Sequence, residues 1–180
     1  MGQPMTSVTH PICVDWIAEG LPGRIGLTFA PGKHNDSTFG GTWERDLAAD
    51  LDRLVREFQM QVQVCLLEDH ELHRLRIAAL VEEAERRGVR VHRLPIPDGG
   101  VLPDVAPVRA LVDQIVAAAQ GGHTVVIHCA GGLGRAGIIG GCALVRLGAS
   151  PDEALEILRT RRSPHCPETA EQRDVIRRFE

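Results

Sequence analysis

Apolar positions recur along this chain with two different periods, and the changes of period mark its elements. Ile12-Cys13-Val14-Asp15-Trp16-Ile17 alternates loosely, and Arg24 to Phe29 predicts a second strand after the turn Leu21-Pro22-Gly23. Leu47, Leu51, Leu54, Val55 and Phe58 keep helical spacing, and Val62 to Leu67 has the continuous apolar character of a buried strand. Leu72, Leu75, Ile77, Leu80, Val81 and Ala84 predict one helix ending at the cap glycine Gly88. Val89 to Leu94 is the next strand. Asp104 is a candidate N-cap for a helix whose apolar face is Val105, Val108, Leu111, Val112, Ile115 and Val116, with Gly121-Gly122 at its end. Thr124 to Ile127 returns to strand, Arg135 to Leu147 to helix, and two more helices are predicted over Pro151 to Thr160, capped by Ser150, and Glu168 to Phe179. Residues 1–11 form a flexible lead, and the Gly, Asn, Asp and Ser content of Ala30 to Gly41 predicts a loop.

This strand-helix-strand rhythm predicts an α/β fold with a mostly parallel central sheet and sites at the carboxyl ends of the strands. With 180 residues, 43 % of them hydrophobic, one domain over 1–180 is expected. A net charge of −4 gives no global basic field, so neither nucleic acid nor an acidic membrane surface is an expected partner. No apolar run has the length of a membrane span and the N-terminus lacks a secretory pattern, so the expected location is the cytoplasm. Cys13, Cys65, Cys129, Cys142 and Cys166 include no CxxC pair and no zinc-type spacing, so no metal and no cofactor are expected. Nothing in the pattern sets an oligomeric state.

The stretch that carries chemistry is His128-Cys129-Ala130-Gly131-Gly132-Leu133-Gly134-Arg135-Ala136-Gly137, between a strand and a helix. Glycines that turn backbone N–H groups inward, together with the positive end of a helix, hold an oxyanion. Those conditions also favour a cysteine thiolate. Closed around one anion, the loop over Ala130, Gly131, Gly132, Leu133 and Gly134 sets the Cys129 sulfur beneath a phosphorus and the Arg135 fork beside its oxygens. His128 is read as a residue that orients the loop through its backbone. A leaving oxygen needs a proton, and Asp98 in the loop Pro95-Ile96-Pro97-Asp98-Gly99-Gly100 leaves a strand at the same edge; taken locally it is equally an ordinary turn aspartate. The loop itself has no lysine, which argues against a substrate carrying several phosphates.

HCAGGLGRAG resembles the Cys-x5-Arg loop of the protein tyrosine and dual-specificity phosphatases, and Pro95 to Gly100 resembles their general-acid loop. With the Leu21-Pro22-Gly23 turn, the likeness is to their kinase-associated phosphatase group. The resemblance implies a sheet of about five strands flanked by helices on both faces. It implies a phosphocysteine enzyme acting on a phosphorylated protein or peptide, with Cys129 as nucleophile, Arg135 as phosphate ligand and Asp98 as acid. One departure is Ala136, where most members carry a hydroxyl that helps the thiolate depart; a slow, phosphatase-like module that binds phosphorylated partners is the alternative. Gln172, in a segment similar to the Glu-Thr-x-x-Gln helix start of compact relatives, is read either as a residue that positions water or as a solvated helix residue. Cys65 lies where some relatives carry a cysteine that forms a reversible disulfide with the nucleophile; the other reading is a buried strand residue.

Overall fold

A computed structural model of the chain describes residues 3–37 and 41–179. Its elements are β1 (Asp15–Ala18), β2 (Arg24–Thr28), β3 (His34–Ser37), β4 (Gly41–Glu44), α1 (Leu47–Arg56), β5 (Val62–Cys65), α2 (Asp69–Arg74), α3 (Leu80–Arg86), β6 (Arg90–Arg93), α4 (Ala106–Gln120), β7 (Thr124–His128), α5 (Gly134–Arg146), α6 (Pro151–Arg161) and α7 (Ala170–Arg177). Five strands form one sheet in the order β1-β2-β7-β5-β6, parallel except for β1 against β2. Because side chains alternate across a strand, Ile25, Leu27, Val62, Val64, Val125 and Ile127 face one core, shared with α4 to α7. Cys65, Leu67 and Val126 face a second core, under α1 to α3. The α/β class, the mostly parallel sheet and the helices on both faces agree with the expectation. Among the described residues, no helix is long and apolar enough to cross a membrane.

Four local expectations change. The predicted loop over 30–41 contains a hairpin, β3 pairing with β4 from His34↔Glu44 to Ser37↔Gly41; residues 38–40 of that loop lie outside the described residues. Asn35 and Asp36 have low strand propensity, so pairing rather than composition makes this strand. The helix predicted through 72–84 is two helices, because Arg76 takes a left-handed backbone with φ +58° between them. The break preserves burial of Leu72, Leu75, Ile77, Leu80 and Ala84, which is why the apolar spacing looked continuous. The lead is not free over its described part: Met5 N–H donates to Thr42 O at 2.8 Å, and Arg45 Nη1 donates to His10 O at 2.8 Å.

Asp104 precedes the cap position rather than holding it, since Val105 caps α4; its Oδ1 still accepts the Ala106 N–H at 2.9 Å. Glycine inside α5 costs helix stability, about 1 kcal/mol per residue against alanine. Close packing offsets it: a Cβ at Gly140 would strike Ile17, and one at Gly141 would strike Ile176.

Candidate active site

The loop between β7 and α5 sits at the carboxyl edge of the sheet, with β2 and β5 as its neighbours. Cys129 is 3 % exposed, and its Sγ accepts the Gly132 N–H at 3.2 Å. Gly132 has φ +74°, and a Cβ there would collide with Thr28 O of β2, so both conformation and space require glycine. The loop's carbonyls are bound from outside. Ala130 O accepts from Ala30 N–H and from Lys33 Nζ, each at 3.2 Å. Arg162 donates through Nη2 to Gly131 O at 3.0 Å and through Nε to Gly132 O at 2.9 Å, while its Nη1 pairs with Asp15 at 2.6 Å. Of these peptides, the one whose carbonyl Arg162 Nη2 holds turns its N–H, that of Gly132, to the sulfur, and the first turn of α5 adds its positive end.

Arg135, 1 % exposed, lies in that first turn. Its Nη1 donates to Glu71 Oε2 at 2.6 Å and to Ile96 O at 3.0 Å; its Nη2 donates to Glu71 Oε1 at 3.0 Å and to Asp98 Oδ1 at 3.0 Å. Burial pushes the Glu71 carboxyl up, and the Arg135 and Glu68 hydrogen bonds outweigh it, so the group stays below the usual carboxylate range. Asp98 presents a side chain that is 66 % exposed, two residues beyond buried Ile96. Asp98, Glu71 and the loop that carries both Cys129 and Arg135 are thus brought to one edge from three separate segments.

His128 is fully buried, which pushes its imidazole down to about 4 and leaves it neutral. Gln63 Nε2 lies 2.8 Å from its Nε2, leaving the Nδ1 proton to face Cys129 O at 3.4 Å. Gln172 is not a solvated helix residue: it is 0 % exposed, its Oε1 accepts the Glu168 and Thr169 N–H groups, and a Cβ on Gly134 would strike its amide. Cys65 packs in the core under α1 to α3, whereas Cys129 packs in the opposite one together with Cys166. Burial pushes the Cys65 thiol up.

Sequence reasoning missed Glu71, Arg162 and Lys33. Glu71 had one available signal, its position at the start of a helix that leaves a strand at the site edge, but helix capping already accounts for an acid there, and its Oε2 does accept the Glu68 N–H at 2.9 Å. The loop itself carries no lysine, and Lys33, the chain's single lysine, stands against it from before β3. Beside the loop opens a polar cleft of about 760 Å³, lined by Ala130, Asp98, Trp43, His34, Arg74 and Arg76 among others.

The family profile of cyclin-dependent kinase inhibitor 3 matches residues 4–155. Cyclin-dependent kinase inhibitor 3 of Rattus norvegicus is 31 % identical over 183 residues, covering 98 % of this chain and 82 % of its own. Kinase associated phosphatase, solved with serine in place of its catalytic-site cysteine, superposes with a TM-score of 0.81 at 25 % identity over 94 % of each chain. Tk-PTP in its active form superposes with a TM-score of 0.73 at 32 % identity, over 93 % of this chain and 95 % of its own. Matched along nearly its whole length by these proteins, the chain belongs to the cyclin-dependent kinase inhibitor 3 family and is a cysteine-dependent protein phosphatase of the tyrosine and dual-specificity superfamily.

Proposed function

We propose that the chain hydrolyses phosphotyrosine, phosphoserine/threonine or both in phosphorylated proteins or peptides, through a phosphocysteine on Cys129. The thiolate attacks phosphorus in line; the S–P bond forms as the ester P–O bond breaks, and the Asp98 carboxyl gives its proton to the departing oxygen. Asp98, now a carboxylate, takes a proton from water as the water oxygen attacks phosphorus, and the S–P bond breaks to return the thiolate and inorganic phosphate. The N–H groups of residues 130–135 and the Arg135 fork hold the three phosphoryl oxygens in both steps. In this reading Gln172 orients the water and His128 orients the loop. The likeness to cyclin-dependent kinase inhibitor 3 supports a phosphorylated protein as substrate, in the cytoplasm, and the net charge of −4 supports neither nucleic acid nor an acidic membrane surface as partner.

The observation that carries this reading is the 3.0 Å contact between Arg135 and Asp98, which joins the acid's loop to the loop of the nucleophile. Its test uses leaving groups of different basicity. Asp98→Ala is expected to lower kcat by about 10²–10³-fold on phenyl phosphate and far less on an activated aryl phosphate that leaves without protonation. Equal losses on both would move the acid role to another group.

Ala136, buried in the first turn of α5, favours the slower variant of the same chemistry, since no hydroxyl at this position can stabilise the departing sulfur. Ala136→Ser is expected to raise the steady-state rate several-fold while reducing the burst of released alcohol in pre-steady-state measurements. An unchanged burst and rate would mean that phosphocysteine hydrolysis does not limit turnover.

A further inference from the structure

We propose that Lys33 is a positioning residue for the nucleophile: its ammonium, held behind the loop at Ala130 O and caged by two aromatic rings, keeps the Cys129 sulfur ionised. The proposal rests on the reading of Cys129 as the attacking thiolate. Lys33 is only 7 % exposed, unusual for a lysine, and its Nζ lies 4.9 Å from the Phe29 ring centre and 4.5 Å from that of Trp43. Arg45 shares the same two rings at 4.8 and 5.6 Å, but its charge is matched by Asp50 of α1 through bonds of 2.7 and 2.8 Å. Arg162, on the other side of the loop, is matched by Asp15 of β1.

Burying an ammonium opposes its charge. Burial pushes Lys33 down to about 8; Cys129 is the charge that holds it up, and Arg45 and Arg162 press it further down. An ammonium 3.2 Å from the carbonyl of Ala130, the residue after Cys129, is placed to act on the sulfur through its charge. The same values give an unusual stability sign. Between about pH 8 and the ordinary lysine value of 10.5 the unfolded chain holds more protons at this position than the folded one, so the buried charge is a stability cost at neutral pH.

The test follows iodoacetamide alkylation by mass spectrometry of the Cys129 peptide, which separates it from exposed Cys13. Lys33→Met is expected to slow Cys129 alkylation about tenfold near pH 6, leave it unchanged near pH 10, and melt at or above the wild-type temperature. Lys33→Arg is expected to restore most of the rate near pH 6. Equal rates in the Met variant and wild type near pH 6, or the same loss at both pH values, would overturn the proposal. A second measurement needs no Lys33 variant: the chain's single lysine gives one side-chain nitrogen resonance in ¹⁵N-lysine protein. Its titration midpoint should fall in Cys129→Ser by at least about half a pH unit, and an unmoved midpoint refutes the coupling. A wild-type Cys129 that alkylates no faster than Cys13 near pH 6 would instead refute the nucleophile reading.

Discussion

Cys129→Ser is expected to release no measurable phosphate from any substrate, a loss of at least about 10⁴-fold, while still binding orthovanadate or inorganic phosphate. The two halves of this result have separate causes. A serine hydroxyl is not ionised near neutral pH and has no base within the loop, so the attack fails. In the proposed reaction the anion is held by backbone N–H groups and Arg135, none of which the substitution removes, and the Arg162 and Lys33 bonds that hold Ala130, Gly131 and Gly132 from outside remain. Phosphate release from an aryl phosphate, with calorimetric titration of vanadate, measures both halves. Hydrolysis at the wild-type rate would remove the phosphocysteine mechanism altogether.

Glu71→Gln is expected to cost about 3–5 kcal/mol of stability at neutral pH, because it removes the buried counter-charge of the Arg135 guanidinium and leaves only Asp98, whose side chain is mostly exposed. Both side chains are essentially inaccessible, at 0 and 1 %, and meet through two bonds of 2.6 and 3.0 Å, so solvent cannot replace the lost carboxylate. Activity should fall further than stability alone explains, by about 10²-fold in kcat/KM, since a fork that shifts by an ångström no longer matches the phosphoryl oxygens. The pH dependence has a definite sign. The folded Glu71 carboxyl lies below its ordinary value of 4.5, so its contribution is complete above that pH and is lost as the pH falls through the folded value. Urea unfolding at neutral and acid pH checks this: the wild type should lose the difference between the two proteins on acidification, and Glu71→Gln should show a shallower acid decline. Equal stability at neutral pH would show that Arg135 finds another partner.

The two substitutions probe different levels of the same construction. In the proposed reaction Cys129 supplies the reacting atom, beside the Gly132 N–H of its own loop. Glu71 supplies nothing that reacts; it holds Arg135 so that the second edge of the fork is available to Asp98 or to a substrate oxygen. Lys33 belongs with Glu71 in this respect, acting on the sulfur through position and charge.

What the chain's own order determined was local. Short, nearly continuous apolar runs such as Val62 to Leu67 and Thr124 to Ile127, separated by helical faces, specify a parallel sheet covered on both sides, because burial on both faces is written into each strand. The anion loop and the loop carrying Asp98 were legible because each is contiguous, and contiguous glycines and prolines carry their backbone geometry with them. The hairpin from His34 was not legible, since its strand is made by pairing with Gly41–Glu44 rather than by propensity, nor was the left-handed turn at Arg76, which leaves the apolar spacing undisturbed. The partners of the site were decided by tertiary structure alone. Glu71 is 64 residues from Arg135, Lys33 is 97 from Ala130, and Arg162 is 30 from Gly132. The order β2-β7-β5 brings the Lys33 and Glu71 segments to one edge, the end of α6 adds Arg162, and burial there gives ordinary charges their unusual weight, since an ion pair removed from water has no solvent to replace it.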